Sequence, residues 1–174
     1  MFSVVICPSC ARRESNENMK LGEDIYGFYL GETKEELFKR AQGVIVIDKA
    51  PDPPLGFRGE LWNCSAPLVY HPGVDRVRLS FYRDRLWEIV VYYHNTSAAN
   101  LELLRSELEN RYQTHATAPD GTTEMAAKTY RLSGPGISIT LRRITKQSGI
   151  ELYAQYFHNE LHDRLVGKGK AARE

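Results

Sequence analysis

Two histidines near the end of the chain have a spacing that suggests metal ligands, in the segment His158-Asn159-Glu160-Leu161-His162. Zinc proteases carry two histidines one helical turn apart, with a glutamate next to one of them as the general base. Here Glu160 lies midway between the histidines, and a helix capped by Asn159 would leave His158 on the preceding strand. We therefore expect an ordinary strand-to-helix junction and no metal site.

The chain has three cysteines, Cys7, Cys10 and Cys64, which are too few for a disulfide scaffold. A zinc ribbon would need a second cysteine pair, and a thioredoxin-like pair follows a strand and opens a helix. Cys64 has no glycine-rich turn or helix start beside it, so we expect a buried, unreactive thiol. We predict no catalytic residue and no cofactor. The alternative is a small metal-dependent or thiol enzyme that uses His158 and His162, or Cys64.

The composition excludes some classes of protein. Of 174 residues, 42% are hydrophobic, which is enough for one domain with a substantial core. The 23 Lys and Arg residues balance 22 Asp and Glu residues to a formal charge of +1, which argues against a dedicated nucleic-acid or anionic-membrane binder. We expect the partner to be another protein.

The first ten residues resemble the end of a secretory signal. A short apolar stretch is followed by Ser9, by Cys10 and then by a polar stretch, which is the layout of a bacterial lipoprotein junction. Cys7 and Pro8 stand where such signals prefer small or apolar residues. Three interpretations stay open: a remnant signal with a lipid on Cys10 in the bacterial cell envelope or periplasm, an ordinary N-terminal segment of a cytoplasmic chain, and metal or redox chemistry by the cysteine pair. Only such a lipid would attach the chain to a membrane.

Local patterns predict the elements of the first half. The capping box Thr33–Glu36 predicts a helix that ends at Gly43. The β-branched run Val44–Ile47 predicts a buried strand, and the alternation from Phe57 to Cys64 predicts another. A hairpin follows with a three-residue loop, Arg83–Arg85. Its register places six apolar residues on one side: Phe81 opposite Trp87, Leu79 opposite Ile89 and Val77 opposite Val91.

The second half shows the same order of elements. Thr96 or Ser97 caps a helix with an apolar stripe. Three strands and a short helix follow: Lys128–Leu132, Ile137–Ile144, Ile150–Phe157 and Glu160–Leu165. The residues expected in the core are Phe38, Leu79, Phe81, Trp87, Ile89, Leu104, Leu108, Ile139 and Leu141.

The halves end in similar motifs, Tyr92–Asn95 and Tyr156–Asn159. We interpret them either as a duplication or as the common composition of strand-to-helix junctions. The predicted fold is α+β, with an antiparallel sheet of about six or seven strands from two helix-plus-meander pseudo-repeats and helices packed on one face. We expect a flexible N-terminal segment over residues 1–24, one α+β domain over 25–165 and a flexible tail over 166–174.

The segment Gly31–Leu37 places a glycine two residues before the capping Thr33 and leads through a helix into the sheet. This opening resembles that of the SmpA/OmlA-like small bacterial envelope lipoproteins, and of related helix-plus-meander modules such as the secreted β-lactamase inhibitors. The resemblance implies a non-enzymatic protein that presents a sheet face or loops to another protein.

The outward side chains of the hairpin are rich in arginine and tyrosine, which are enriched at protein interfaces. A solvated face, or one covered by a helix, is the alternative. We predict a non-catalytic protein-interaction or cell-envelope module. The predicted interaction surface consists of Arg76, Arg78, Tyr82, Glu88 and Tyr92.

Overall fold

A seven-stranded antiparallel sheet organises the chain in the computed structural model, which describes residues 21–50, 57, 59–118 and 127–170. The strand order is β1-β2-β3-β4-β7-β6-β5, so two meanders join through their last strands, β4 and β7. The predicted α+β fold with two helix-plus-meander units is confirmed. The elements in chain order are α1 (Lys34–Ala41), β1 (Ile47–Lys49), β2 (Glu60–Cys64), β3 (Val74–Tyr82), β4 (Arg85–Tyr93), α2 (Ala98–Tyr112), β5 (Ala127–Gly134), β6 (Ile137–Lys146), β7 (Gly149–His158) and α3 (Asn159–Lys170).

Side-chain caps begin the first two helices. The Thr33 hydroxyl accepts a hydrogen bond from the backbone N–H of Glu36, and the Glu36 carboxylate accepts one from the N–H of Thr33, so the predicted capping box is confirmed. Of the two caps predicted for α2, Ser97 is the one used, and it accepts a bond from the N–H of Asn100 at 3.1 Å. Each cap satisfies a backbone donor that the helix itself leaves open.

The core lies between α1, α2 and one face of the sheet, which we call the inner face. Leu79, Ile89, Tyr156 and Ile139 stand directly opposite one another across four strands and are all buried. The α2 helix packs its apolar stripe on this face over β5 and β6. Its buried residues are Leu101, Leu104, Leu108 and Tyr112. Seven of the nine predicted core residues are buried, the exceptions being Phe38 and Trp87, which are half-buried.

Glu102 ties α2 to the edge strand β5. Its carboxylate accepts hydrogen bonds from Lys128 and from the hydroxyl of Tyr130, at 2.5 and 2.8 Å. The bonds from Lys128, Tyr130 and Arg105 lower the pKa of the Glu102 carboxyl to about 2. The carboxylate therefore stays ionised at neutral pH and keeps this attachment.

The hairpin turn is shorter than predicted. Tyr82 pairs with Arg85, so the loop is the two residues Arg83 and Asp84, whose φ angles of 48° and 65° are both positive, as in a type I′ turn. The predicted three-residue loop is wrong, because turns of this type normally contain asparagine or glycine and neither is present here.

A β-bulge at Trp87 restores the predicted register beyond the turn. Leu86 opposes Phe81, and the pairs Leu79 with Ile89 and Val77 with Val91 are confirmed. Trp87 is the extra residue, and its ring stacks on that of Phe157 on the opposite face of the sheet. The predicted pairing of Phe81 with Trp87 is therefore wrong, and so is the placement of Trp87 in the core.

The bulge lies where β4 changes its neighbour. Before it, the segment that precedes α1 lies beside β4: the N–H of Gly31 donates to the carbonyl of Leu86 at 2.7 Å, and the N–H of Leu86 donates to the carbonyl of Glu32 at 2.9 Å. After it, from Glu88 onward, β4 pairs with β7. The extra residue Trp87 thus stands at the junction between these two neighbours.

The apolar run Val44–Ile47 does not form the predicted buried strand. Gly43 has a φ of +73°, the N–H groups of Val44 and Ile45 both donate to the carbonyl of Ala41, and β1 starts only at Ile47. Val44 and Val46 are 61% and 59% exposed. The prediction is wrong because the last turn of α1 continues into this run and leaves Val44–Val46 before the start of β1.

The α3 helix runs to Lys170, beyond the predicted end at Leu165. Its His162 ring lies 5.3 Å from the ring of Phe157 and 6.2 Å from that of Trp87, centre to centre. Both aromatic residues belong to the face of the sheet opposite α1 and α2. We call this the outer face.

Truncation of a central inner-face residue should be costly. We expect Leu79→Ala to lower the free energy of unfolding by about 2 to 5 kcal/mol, because the cavity it leaves cannot collapse fully. The matched control Val46→Ala also shortens an aliphatic side chain but should cost less than about 0.5 kcal/mol, since Val46 is exposed. Urea unfolding measures both, and equal losses would contradict the placement of the two residues.

Glycine should improve the hairpin turn. We expect Asp84→Gly to raise the free energy of unfolding by about 0.5 to 1 kcal/mol, because a left-handed backbone costs a residue with a Cβ about 1 to 2 kcal/mol. Asp84→Ala is the control: it also removes the carboxylate that lies 3.7 Å from Lys34, but it retains the Cβ. Thermal melts should place the glycine variant above the parent and the alanine variant below it. A glycine variant that melts no higher than the alanine variant would refute the turn assignment.

Candidate functional site

An unbroken row of arginine and tyrosine crosses four strands on the outer face. Arg76 of β3 stands opposite Tyr92 of β4, Tyr92 opposite Tyr153 of β7, and Tyr153 opposite Arg142 of β6. The guanidinium carbon of Arg76 lies 4.2 Å from the centre of the Tyr92 ring, and the two tyrosine rings are 5.6 Å apart. We call these four residues the arginine–tyrosine row.

A second row lies beside it and adds another guanidinium group. Arg78 stands opposite Val90, which is buried, and Val90 stands opposite Gln155. The Nε of Arg78 is buried and has no hydrogen-bond partner among the described residues. A buried donor of this kind is costly to leave unpaired.

Glu88 lies on the same face, two residues from Val90 along β4. It is 5% exposed, and its carboxylate accepts hydrogen bonds from the hydroxyl of Ser80 and from the side-chain amide of Gln155. These two donors come from the strands on either side of β4. The carboxylate of Glu88 is thus occupied within the sheet and does not project toward a partner.

Aromatic side chains and α3 cover the other end of the outer face. The rings of Trp87 and Phe157 stack with their centres 6.0 Å apart, and Phe57 and His162 lie against Trp87 at 6.3 and 6.2 Å. Phe157 is four residues beyond Tyr153 on β7, which is about 13 Å along a strand. The outer face therefore has an end covered by α3 and an end that carries the arginine–tyrosine row.

The electrostatic surroundings keep Tyr92 protonated. Burial raises the pKa of Tyr92, and the nearby Arg78 and Arg76 oppose this effect without cancelling it. At neutral pH its hydroxyl is therefore a neutral group that can donate and accept hydrogen bonds.

Acidic groups at the margin of the row already have cationic neighbours. The carboxylate of Asp75 lies 2.7 Å from Nη1 of Arg76 and 3.4 Å from Nδ1 of His94. Glu151 lies 2.6 Å from the ammonium group of Lys146. The row itself carries no acidic side chain.

The structure brings together only part of the predicted interaction surface. Arg76, Arg78 and Tyr92 lie together, whereas Glu88 is buried on the same face four residues from Tyr92 along β4. Tyr82 is at the hairpin end beside Arg85, six residues along β3 from Arg76. Tyr153 and Arg142 could not be identified from the sequence, because their position beside Tyr92 depends on the pairing of β4 with β7, which no local pattern indicates.

The residues considered for catalysis are not arranged as a site. His158 is 3% exposed and pairs with Ile137, so it belongs to the inner face, whereas His162 contacts Phe157 on the outer face. Within the described ranges, no three His, Cys, Asp or Glu residues cluster as metal ligands would. Burial, with a smaller contribution from Asp48, raises the pKa of the Cys64 thiol to about 12. Cys7 and the predicted lipid site Cys10 lie outside the described residues.

The comparisons with known proteins add no family. Neither the protein-family models, nor the curated proteins, nor the solved structures include a match to this chain. Among the described residues, no helix is both long enough and apolar enough to span a membrane.

The segment Gly31–Leu37, which resembles the opening of envelope lipoproteins, has structural roles in this chain. Gly31 has a φ of +85°, where glycine is favoured, and Thr33 caps α1. The fully buried carboxylate of Glu32 accepts hydrogen bonds from the N–H of Tyr29 and from Arg40. These structural roles are sufficient to explain the residues of the motif. The resemblance to envelope lipoproteins therefore stays a prediction.

The Cys64 thiol should be unreactive in the folded chain. In a Cys7→Ser/Cys10→Ser variant at pH 8, we expect a disulfide reagent to modify Cys64 about a thousandfold more slowly than an unfolded thiol, because the raised pKa reduces the thiolate. Absorbance after addition of the reagent measures the rate, and addition of urea should restore fast modification. Fast modification without urea would contradict the buried thiol and support the thiol-enzyme alternative.

Proposed function

We propose that this protein is a non-catalytic binding module that holds another protein on the outer face of its sheet. The observation that carries the proposal is the arginine–tyrosine row, in which Arg76, Tyr92, Tyr153 and Arg142 stand directly opposite one another across four strands. Arginine and tyrosine are the side chains that, with tryptophan, most often dominate the binding energy of interfaces.

The scaffold beneath the row supports this role. Tyr92 and Tyr153 lie on β4 and β7, each of which has a paired strand on both sides, so their backbone positions are fixed before a partner arrives. Arg76 is already stacked on Tyr92. Side chains that are ordered in the free protein lose less conformational entropy on binding, and more of the contact energy then appears as affinity.

The half-buried state of the tyrosines also favours binding over folding as the role of the row. The rings of Tyr92 and Tyr153 contact each other on the outer face, away from the helix-covered core. A tyrosine in this position offers a large apolar area and a hydroxyl group at little entropic cost.

The affinity for a binding partner should depend on the side chains of this row and not on those of α2. With a partner captured by cross-linking and then purified, we expect Tyr92→Ala and Tyr153→Ala each to weaken binding about thirtyfold, which corresponds to a lost interface anchor of about 2 kcal/mol. Leu103→Ala is the control, since Leu103 is 57% exposed on α2. Titration calorimetry measures the affinities.

Circular dichroism melts within a few degrees of the parent would show that the tyrosine variants are folded. A partner whose affinity falls with Leu103→Ala and is unchanged by both tyrosine substitutions would refute the proposal.

A further inference from the structure

We propose that the outer face binds an extended acidic protein segment that has carboxylate side chains at two positions four residues apart and an apolar side chain midway between them. This inference rests on the binding function proposed above and specifies the chemistry of the partner. It follows from the spacing and the charge of the arginine–tyrosine row.

The spacing of the row matches an extended chain that crosses the strands. Arg76 and Arg142 are separated by three strand-to-strand intervals of about 4.8 Å, or about 14 Å in all. An extended segment rises about 3.3 Å per residue, so its residues i and i+4 are about 13 Å apart. Residues i, i+2 and i+4 also point to the same side of such a segment. The two carboxylates can therefore reach the two arginines while residue i+2 lies over the tyrosines.

The middle of the row is suited to an apolar side chain. The rings of Tyr92 and Tyr153 are 5.6 Å apart, which forms an aromatic platform between the arginines. A leucine or similar side chain at position i+2 would remove apolar surface of both rings from water. Because the carboxylates fix its position, this contact would also fix the register of the segment.

The charge on this part of the outer face favours an anionic partner. Arg76, Arg78 and Arg142 contribute three guanidinium groups within two adjacent rows. Among the described residues, the acidic groups beside the row already have partners, since Asp75 lies beside Arg76 and His94, and Glu151 lies beside Lys146. Glu88 is four residues from Tyr92 along β4, about 13 Å, and its carboxylate is bonded within the sheet. A guanidinium group has five N–H donors, so Arg76 can donate to a second carboxylate besides Asp75. Arg142 also has an interaction within the chain, and its remaining donors can bind a carboxylate in the same way.

A protein segment fits this arrangement better than a nucleic acid does. Single-stranded nucleic acid also binds to aromatic and cationic side chains, but it needs a positive groove that continues along several nucleotides, whereas this row has arginine only at its two ends. The chain as a whole has a formal charge of only +1. A nucleic acid and a second copy of this chain are therefore outcomes that the experiment must separate.

The test uses two fluorescent peptides of equal composition and the full chain. The probe contains the core Glu-Ser-Leu-Ser-Glu, and the control peptide contains Ser-Glu-Leu-Glu-Ser, which directs its carboxylates away from the leucine side. We expect fluorescence anisotropy in 50 mM salt to show the probe binding at least tenfold more tightly than the control. Binding of the probe should weaken as salt is raised, since salt screens exposed charges.

Variants connect the binding to the row. Arg76→Ala should weaken probe binding at least fivefold, and Arg76→Lys should give an intermediate loss, because lysine keeps the charge but not the planar fork. Arg83→Ala removes an exposed arginine at the far end of the hairpin and should leave the affinity unchanged. Arg76 and Arg83 both have exposed side chains, so both variants should fold, and melts verify this.

Three results would overturn the inference. They are equal binding of the two peptides, tighter binding of a single-stranded DNA decamer through Arg76, and self-association of the chain that Tyr92→Ala abolishes. If neither peptide binds but a captured protein still depends on Tyr92 and Tyr153, the acidic class is wrong and the binding function stands. If the captured protein binds the Tyr92 and Tyr153 variants as tightly as the parent while the probe still requires Arg76, the proposed protein-binding function fails and the carboxylate site remains.

Discussion

The pairing of β4 with β7 is the constraint on which the rest of the structure depends. These two strands end the two meanders, and their register runs from Glu88 with Phe157 to Tyr92 with Tyr153. On the inner face it sets Ile89 against Tyr156, both buried in the core. A shift of one residue would move every one of these side chains to the wrong face. The core and the arginine–tyrosine row therefore come from the same pairing.

A buried carboxylate strengthens this register. Glu88 receives hydrogen bonds from Ser80 on β3 and from Gln155 on β7, and all three residues lie on the outer face. A buried polar group that loses its hydrogen-bond partners is destabilising. Misaligned pairing on either side of β4 would remove one of these donors. The two hydrogen bonds of Glu88 therefore favour the observed alignment of β3, β4 and β7.

Local signals in the sequence predicted the parts of the fold that depend on nearby residues. The capping box at Thr33 and the stripe that includes Leu104 and Leu108 involve residues one helical turn apart, so both could be identified without an alignment. The confirmed pair Leu79 with Ile89 depends on the alternation within one hairpin. These predictions succeed because short-range periodicity contains the information that they need.

The failures concern features that periodicity does not encode. Trp87 is two residues from Ile89, so regular alternation along the strand would place both side chains on the same face. The β-bulge at Trp87 breaks this alternation and places its ring on the outer face. The turn residues Arg83 and Asp84 adopt positive φ without being glycine. Tyr92 and Tyr153 are about 60 positions apart in the sequence, so their contact could not be predicted from local patterns. Only part of the candidate site could therefore be predicted.

The repeated aromatic motifs do not account for the arginine–tyrosine row. A twofold axis perpendicular to the sheet would exchange the two meanders and leave α1 and α2 on the same face. Under such a relation, a residue on the outer face corresponds to another residue on the outer face. Tyr92 and Tyr156 occupy the same place in the two motifs, but Tyr92 lies on the outer face and Tyr156 in the core. The architecture is therefore repeated while the motifs are not equivalent in space, as expected if each motif reflects a strand-to-helix junction. Tyr153 lies three residues before the second motif, so its position opposite Tyr92 follows from the pairing of β4 with β7 and not from the repeated motif.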